Sequence, residues 1–224
     1  MTGPARTPSG PSGASDPAGG RPAGPPLRLV VLLSGGGRTL LNLAAEIEAG
    51  RLHAELCLVI SSRGDVAGVP RARELGLPVE VLRPRDFPDR AAFAARQTEV
   101  ILAARPDLVV MAGYLVLYPV PPALRGRILN IHPSLLPKHG GRGFFGDKVH
   151  AAVLAAGDTE SGCSVHVVDD QYDHGPVLAQ TKVPVRPGDD VHTLADRVFE
   201  AECSTYPRVI AEYGATLRHA AQAD

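Results

Sequence analysis

The sequence predicts an α/β fold, a doubly wound and mostly parallel sheet with antiparallel edge strands near the C-terminus. Apolar runs of the kind that strands show when both faces of a parallel sheet are covered alternate with stretches of helical periodicity. After Gly157 the pattern changes to two segments of alternating polarity, which indicate antiparallel strands. Because alternating strands and helices are joined by right-handed crossovers, we expect a mostly parallel sheet covered by helices.

The elements follow in order. Residues 27–33 (Leu-Arg-Leu-Val-Val-Leu-Leu) predict the first strand, and residues 39–49 predict the first helix, which Gly50 ends. Further parallel strands are predicted at 55–61, 78–82, 108–111 and 127–131, with helices at 66–75 and 90–104. Antiparallel strands are predicted at 164–168 and 177–185, and a closing helix at 190–213. Pro207 is expected to kink or break this last helix.

Composition indicates one globular domain preceded by a tail. The chain has 224 residues and is 44% hydrophobic. Residues 1–26 consist almost wholly of Gly, Pro, Ala, Ser and Thr with scattered Arg, so they bury too little apolar surface to order and are predicted to be disordered. We expect the folded domain over residues 27–217 and a flexible end over residues 218–224.

Charge and cysteine content exclude several classes of protein. The 23 basic and 24 acidic residues give a net charge of -1, which is no electrostatic footprint for nucleic acid or an anionic membrane. The three cysteines are an odd number without a C-x-x-C pair, so neither a disulfide framework nor a zinc site is indicated. No apolar run spans a membrane and no signal peptide is recognisable. We therefore expect a cytoplasmic protein with no nucleic-acid partner, no membrane partner and no metal.

A glycine turn, residues 34–39, lies between the first strand and the first helix. Glycines let backbone amides approach an anion, and a helix N-terminus favours negative charge. Neither G-x-G-x-x-G nor a Walker motif is complete, however. A phosphate site and an ordinary tight turn explain these residues equally well.

Asn130 and His132 stand at the C-terminal end of a predicted inner strand, where open α/β sheets bind ligands. Being two residues apart, they point to the same face of the strand. An amide and an imidazole side by side can stabilise an oxyanion and transfer a proton. A single histidine after a strand is more often structural, but the Asn-x-His pair and the following loop, bounded by Pro133 and Pro137, favour catalysis.

Asp173 lies in an acidic loop, residues 169–175. The composition of the loop alone favours a solvated hairpin turn. If Asp173 folds back toward His132, its carboxylate would raise the pKa of the imidazole and order a water for proton transfer. Asp173 is thus a candidate catalytic residue on the condition that this fold-back occurs.

Three segments together resemble the phosphoribosylglycinamide formyltransferase family: residues 130–137 (Asn-Ile-His-Pro-Ser-Leu-Leu-Pro), residues 161–166 (Ser-Gly-Cys-Ser-Val-His) and residues 173–177 (Asp-His-Gly-Pro-Val) with Gln180. The match runs from about residue 27 to 217, and the first segment is highly specific for enzymes that use 10-formyltetrahydrofolate. The resemblance implies a Rossmann-like formyltransferase fold and transfer of the formyl group to the amine of glycinamide ribonucleotide in purine synthesis, without a metal. In that reaction Asn130 and His132 polarise the formyl group and manage the proton, while Asp173 tunes the histidine.

The resemblance also implies two sets of binding residues. Those for the phosphate and ribose of the acceptor are Gly36, Gly37, Arg38, Thr39 and Glu202. Those for the folate are Arg90, Leu115, Val116, Leu117, Tyr118, Asn130, Asp169, Asp170, Gln171 and Tyr172.

This sequence departs from the family pattern at three places. Thr39 stands where the family usually has Asn, so a hydroxyl replaces an amide. Val116 replaces a frequent Arg of the folate loop. The segment 139–146 is longer and richer in glycine than usual, which suggests a mobile lid with Arg142 available to an anion.

Other folate enzymes share the catalytic residues and stand as alternatives. Methionyl-tRNA formyltransferases add a C-terminal β-barrel and formyltetrahydrofolate hydrolases an N-terminal regulatory domain, neither of which fits 224 residues. A sugar-nucleotide formyltransferase differs at the acceptor site only. A folate-binding homologue without catalysis is suggested by Thr39 and Val116. In each case we expect small-molecule substrates and a monomer or homodimer.

Overall fold

The computed structural model describes residues 24–223. Residues 1–23 of the tail predicted to be disordered lie outside this range. Within residues 24–223 the chain forms seven strands and five α-helices. The strands are β1 (Leu27–Leu33), β2 (Ala54–Ser61), β3 (Val79–Val81), β4 (Leu108–Met111), β5 (Ile128–His132), β6 (Glu160–Val167) and β7 (Val177–Pro184). The helices are α1 (Arg38–Glu48), α2 (Gly68–Glu74), α3 (Arg90–Ala103), α4 (Asp147–Ala155) and α5 (Val191–Ala223).

All seven strands belong to one sheet with the order β3-β2-β1-β4-β5-β6-β7. Strands β1 to β5 pair in parallel, whereas β6 pairs antiparallel with β5 and β7 antiparallel with β6. The predicted fold class is therefore confirmed. Because the chain moves outward from β1 to β3 and then returns to β4, the strand order reverses between β1 and β4. Open α/β sheets bind ligands at this switch point, outside the carboxyl ends of the strands.

Helices cover both faces of the sheet, as β1 shows. Its alternate residues Leu29, Val31 and Leu33 belong to the apolar cluster that includes side chains of α1 and α5. Val30 and Leu32 belong to the opposite cluster, with side chains of α3. A fully buried aliphatic side chain contributes roughly 1.5–3 kcal/mol, so this strand lies at the centre of the stabilising core.

Two elements differ from the sequence prediction. Helix α4 follows the glycine-rich segment and was not predicted, because only Val149, His150 and Val153 of its nine residues are buried and one of these is polar. Strand β6 begins at Glu160, four residues before the predicted start at residue 164. Both differences lie in the region between β5 and β7 that forms one wall of the site described below.

Helix α5 continues through Pro207 to Ala223, so the predicted end at residue 213 is wrong. Of the two effects expected at Pro207, a kink or a break, the break does not occur. Pro207 has no N–H to donate to the carbonyl of Cys203, one turn earlier. The side-chain amide of Asn42 donates to that carbonyl instead, over 2.9 Å. Helix α1 thereby satisfies the group that proline leaves without a partner. Near the end of α5, the Arg218 guanidinium donates to the Asp107 carboxylate over 2.7 Å.

Candidate active site

A cavity of about 480 Å³ opens at the carboxyl ends of β1, β4 and β5, at the switch point of the sheet. Its walls come from the start of α1, the loop after β4, the end of β5, the glycine-rich segment before α4, the loop between β6 and β7, and α5. Eight residues that were predicted from the sequence line this one cavity. They are Arg38, Thr39, Leu115, Asn130, His132, Tyr172, Asp173 and Glu202.

Asn130 lies on β5 beside a histidine of the neighbouring strand. The antiparallel register of β5 and β6 places His166 directly opposite Asn130. The Asn130 Nδ2 atom is 3.0 Å from His166 Nε2 and 3.4 Å from Asp173 Oδ1. Because the Nδ1 atom of His166 donates to the carbonyl of Val167 over 3.1 Å, its Nε2 accepts from the amide. Both N–H groups of the amide are thus engaged within the protein.

His132, the last residue of β5, is buried with an exposed fraction of 4%. Its Nε2 atom is 2.9 Å from the main-chain carbonyl of His139, and a carbonyl only accepts, so Nε2 carries the hydrogen. Its Nδ1 atom faces Asp173 Oδ1 at 3.4 Å. Burial lowers the pKa of His132 below its ordinary value, against the opposing effects of Asp173 and the carbonyl. The neutral imidazole therefore offers Nδ1 as its basic nitrogen.

Asp173 folds back toward His132, as the catalytic interpretation of the sequence required. It adopts a left-handed backbone conformation with φ of 51°. Its Oδ2 atom accepts from the Gly141 N–H over 2.9 Å, which ties the loop to the glycine-rich segment. Burial by itself raises the pKa of Asp173, but His166, His132 and the Gly141 amide outweigh it, and the pKa lies below its ordinary value. The carboxylate is accordingly ionised at neutral pH.

Glycine at position 175 is required by the close approach of this loop to β6. A Cβ atom at Gly175 would lie 1.9 Å from the carbonyl oxygen of Val167. Any larger residue would push the loop away and move Asp173 with it. The Asp-x-Gly pattern of the sequence is therefore explained by packing of the loop on the strand.

The loop after His132 is held by two polar side chains of the antiparallel strands. The Ser164 hydroxyl donates to the carbonyl of Ser134 over 2.6 Å and accepts from the N–H of Leu136 over 3.0 Å. The Gln180 amide donates to the carbonyl of Leu136 over 2.9 Å. These bonds fix the path of residues 133–137. They thereby also help to place His139, whose carbonyl lies against His132.

At the other end of the cavity, the glycine turn leads into α1. Gly37 has a φ of 77°, and a Cβ atom there would lie 2.9 Å from the Cα atom of Gly68, so both conformation and space require glycine. In the part of the chain that the structure describes, no side chain caps the N-terminus of α1, so its first N–H groups have no side-chain partner there. Arg38 and Thr39 line the cavity, whereas the carbonyl of Gly36 accepts from Arg71 over 2.6 Å.

Glu202 reaches the same end of the cavity from α5 and is 9% exposed. Among residues 24–223, no group hydrogen-bonds to its carboxylate. Burial raises the pKa of Glu202 to about 7, with the charge of Arg38 opposing this shift. Arg38 itself donates to Asp196 over 3.0 Å and lies over the ring of Phe199. A buried carboxylate without a partner indicates a group that a ligand can satisfy.

The residues predicted to bind folate, except Asp169, are divided among three cavities. Leu115, Asn130 and Tyr172 line the main cavity. A second cavity, of about 450 Å³, is lined by Arg90, Leu117, Arg142, Asp170, Gln171 and Tyr172. A recess of about 40 Å³ is lined by Val116, Leu117, Tyr118, Asn130, Gln171, Tyr172 and Asp173 together with Met111, Tyr114, His166 and Val168.

Three of these folate candidates make hydrogen bonds within the protein. Tyr118 is almost fully buried, and its hydroxyl hydrogen-bonds that of Thr98 over 2.6 Å. Asp169 lies outside these three cavities, with its carboxylate 2.7 Å from His174 Nδ1 and accepting from the N–H of Gln171 over 2.9 Å. Asp170 accepts from the N–H of Val120 over 2.9 Å, which connects the two loops.

Two buried histidines at the site were given no role by sequence reasoning. His166 could have been found from the alternation of β6 had its register with β5 been known. His150 on α4 lines the main cavity at an exposed fraction of 4%, and within the described part of the chain its Nδ1 has no hydrogen-bond partner. Burial lowers the pKa of His150. No local signal distinguishes His150 from a core residue of the short helix.

The described residues give no direct indication of a metal centre or a membrane segment. Across residues 24–223, no group of three or more His, Cys, Asp or Glu side chains is arranged to hold a metal ion. The helices in this range also include none that is long and apolar enough to cross a membrane.

Comparison with known proteins assigns the chain to a family. A formyl transferase family model matches residues 27–210. The phosphoribosylglycinamide formyltransferase of Escherichia coli is 37% identical over 188 residues, which cover 82% of this chain and 85% of that protein. The chain belongs to the phosphoribosylglycinamide formyltransferase family. Within this family, glycinamide ribonucleotide transformylase 1 from Symbiobacterium toebii matches with a TM-score of 0.79 at 36% identity, covering 85% of this chain and 89% of the other.

Some family members are much longer than this chain. The trifunctional purine biosynthetic protein adenosine-3 of Drosophila pseudoobscura is 42% identical over 194 residues, yet the match spans 84% of this chain and only 14% of that protein. The chloroplastic phosphoribosylglycinamide formyltransferase of Vigna unguiculata is 36% identical, with 82% of this chain and 59% of that protein covered. The shared unit is therefore the formyltransferase domain.

Proposed function

We propose that this chain transfers the formyl group of 10-formyltetrahydrofolate to the primary amine of glycinamide ribonucleotide, a step of purine synthesis. The observation that carries the proposal is the cluster of Asn130, His132 and Asp173 in a cavity that also contains an uncapped helix N-terminus and the unpartnered Glu202. This combination suits a reaction at one end and an acceptor with phosphate and hydroxyl groups at the other. Family membership supports the same reaction.

The cavities fit two substrates that meet at the catalytic cluster. The main cavity, about 480 Å³, is within the range of small-molecule sites. Asn130, Tyr172 and Asp173 line both this cavity and the recess beside the folate loops. A folate held against residues 115–118 and 169–172 would thus present its formyl group where the acceptor amine arrives from the side of α1.

The amine attacks the formyl carbon of the folate, the bond from that carbon to N10 breaks, and the proton that the amine loses passes through His132 to N10 of the departing tetrahydrofolate. The chain supplies the donors and the base. Asn130 donates an N–H to the developing oxyanion, for which its longer contact, the 3.4 Å to Asp173, gives way. His132 exchanges the proton at Nδ1, because its Nε2–H is held by the carbonyl of His139. The Asp173 carboxylate stabilises the imidazolium that forms.

At the acceptor end, the first N–H groups of α1 and the Arg38 guanidinium bind the phosphate, and Thr39 contributes its hydroxyl. Glu202 accepts hydrogen bonds from the ribose hydroxyls. The turn at Gly36 and Gly37 keeps the backbone close to the phosphate. The remaining residues assigned to the folate act as walls of its site, with Arg90 and Arg142 as cations at the second cavity.

We also propose a cytoplasmic location and a monomer or homodimer. The three cysteines are free, as is usual in a reducing compartment. Family membership alone does not fix the compartment, since a plant relative is named as chloroplastic.

A direct assay tests the proposed reaction. Purified protein is mixed with 10-formyltetrahydrofolate and glycinamide ribonucleotide while release of tetrahydrofolate is followed optically, with an amino-sugar nucleotide as the alternative acceptor. We expect turnover that depends on glycinamide ribonucleotide. Turnover with the amino-sugar nucleotide only would move the chain to the sugar-nucleotide enzymes, and binding of folate without turnover would favour a non-catalytic homologue.

A further inference from the structure

An ion-paired cluster lies next to His132 but outside the cavity that contains the reacting groups. His139 Nε2 is 2.7 Å from Asp158 Oδ2, and Lys138 Nζ is 3.0 Å from Asp158 Oδ1. These three residues line a separate cavity of about 250 Å³. Asp158 precedes β6, and its own N–H donates to the carbonyl of Val153, so it is anchored to the end of α4.

His139 adopts a backbone conformation that is uncommon in residues other than glycine. Its φ is 52°, in the left-handed region, which costs a non-glycine residue of order 1–3 kcal/mol that the surrounding contacts must offset. The side chain is 16% exposed and fixed by Asp158, while the main-chain carbonyl accepts from His132 Nε2 over 2.9 Å. One residue therefore connects the Asp158 carboxylate to the catalytic imidazole.

We propose that Asp158 is a positioning residue for the reaction. Through the His139 ring it aims the His139 carbonyl at His132, keeps the hydrogen on Nε2 and leaves Nδ1 free to exchange the proton. This role rests on the proposed function. It extends the catalytic cluster by a carboxylate that does not touch substrate.

The carbonyl decides between two forms of His132. In a neutral imidazole either nitrogen can carry the hydrogen, and the bond made by one nitrogen sets the state of the other. Only the form with hydrogen on Nε2 presents a basic Nδ1 to Asp173 and the cavity. The titratable groups that face His132 are Asp173, His139, His150 and His166, and those that face Asp158 are Lys138 and His139.

The test compares Asp158→Ala, Asp158→Asn and Lys138→Met. The alanine variant loses the bond to His139, and we expect kcat to fall roughly tenfold to a hundredfold with little change in KM, as for other groups that orient a functional histidine. The asparagine variant keeps an acceptor for the His139 ring and should recover most of the rate. Lys138→Met removes the other contact of Asp158 and should match the wild type.

Two further readouts separate positioning from a merely structural role. Nitrogen NMR of the substrate-free protein should show His132 with hydrogen on Nε2 in the wild type and a mixture of both forms in Asp158→Ala. The apparent pKa in the pH profile of kcat should move to lower pH in that variant, because the bond to the carbonyl raises the pKa of His132. An unchanged NMR spectrum and pH profile would overturn the proposal even if the rate fell.

A variant at His139 keeps the proposal testable should Asp158→Ala fail to fold. Asparagine tolerates the left-handed conformation but cannot reproduce the ring contact, so His139→Asn should lower kcat as Asp158→Ala does. The double variant should be no slower than either single variant, whereas multiplicative losses would contradict a shared pathway. Since the NMR readout needs no turnover, it distinguishes failure of this inference from failure of the proposed reaction.

Discussion

The two ends of the main cavity contain buried carboxylates in opposite situations. Asp173 has an N–H donor and two imidazoles around it, and its pKa lies below the ordinary value. Glu202 is the more deeply buried of the two, and its pKa is raised to about 7 because only the charge of Arg38 opposes the effect of burial. At neutral pH the carboxylate at the catalytic end is ionised before substrate arrives, whereas the carboxylate at the acceptor end is still partly protonated.

This difference matches the tasks proposed for the two ends. Groups that stabilise a transition state act best when they are already oriented, since no reorganisation is then needed during the reaction. Groups that bind a substrate gain most when the substrate supplies the missing partner. The catalytic end is accordingly cross-linked by hydrogen bonds, and the acceptor end is left with an uncapped helix and an unpartnered acid.

The largest effect is expected at the catalytic end from His132→Ala. The change removes the nitrogen that exchanges the proton, and we expect kcat to fall roughly a thousandfold or more. Because His132 is a buried side chain, circular dichroism must show that the variant is folded before the rate is interpreted. His150→Ala is the matched control, a second buried histidine of the same cavity, and comparable losses in both variants would contradict the distinction between them.

Replacing Asp173 by Asn should have the next largest effect. The amide keeps the size of the side chain but cannot stabilise an imidazolium, so we expect kcat to fall about a hundredfold. The carboxylate raises the pKa of His132, so its loss should shift the pH profile of kcat to lower pH. A pH profile that stays in place while kcat falls would mean that Asp173 acts on something other than His132.

The fold was predictable from sequence where the signal is local. The apolar run of β1 and the glycine turn before α1 identify a buried strand and a helix start, and both boundaries agree within one residue. The continuation of α5 through Pro207 was not predictable locally, because the carbonyl that proline leaves free is bonded by Asn42, which lies far away in the sequence. Helix α4 was missed because three buried positions in nine residues are too few for a helical pattern.

The candidate site was likewise predictable only where the signal in the sequence is local. The spacing of Asn130 and His132 placed both on one face of β5, since side chains alternate along a strand. Their partners could not be deduced in this way. The contact of His166 with Asn130 is set by the register between β5 and β6. The contact of the His139 carbonyl with His132 is set by the path of the fourteen-residue connection between β5 and α4. A contact made by a main-chain carbonyl does not depend on the type of its residue, so the sequence does not indicate it.

The third prediction concerns Glu202 at the acceptor end, and the measured quantity is the free energy of unfolding. In the folded state the pKa of Glu202 is raised to about 7, above the ordinary 4.5, so the folded protein binds this proton more tightly than the unfolded chain does. Protonation of Glu202 therefore stabilises the fold at low pH, and this stabilisation is lost as the pH rises through about 7. Gln cannot ionise, so the advantage of Glu202→Gln over the wild type should grow by about 2 kcal/mol between pH 5 and pH 8.

Chemical denaturation of the substrate-free protein at the two pH values measures this change. Glu200→Gln, at an exposed position of the same helix, is the matched control for the substitution itself. A parallel pH dependence of Glu202→Gln and wild type would show that Glu202 is ionised in the fold, and the contrast with Asp173 would disappear.

The smallest effect is expected at Thr39, where the family usually has asparagine. Its side chain lines the cavity next to the uncapped N-terminus of α1, so Thr39→Val keeps the shape and removes one hydroxyl donor. A single hydrogen bond to a charged group is worth roughly 1.5–3 kcal/mol when it is fully formed, but here the helix N–H groups and Arg38 share the same phosphate. We therefore expect KM for the acceptor to rise only a few-fold, with kcat and KM for the folate unchanged.

Thr39→Asn should lower the KM for the acceptor below the wild-type value if an amide reaches the phosphate better than the hydroxyl does. A change in kcat in either variant would mean that the two ends of the cavity are coupled, and the division between a preassembled catalytic end and an open acceptor end would have to be abandoned.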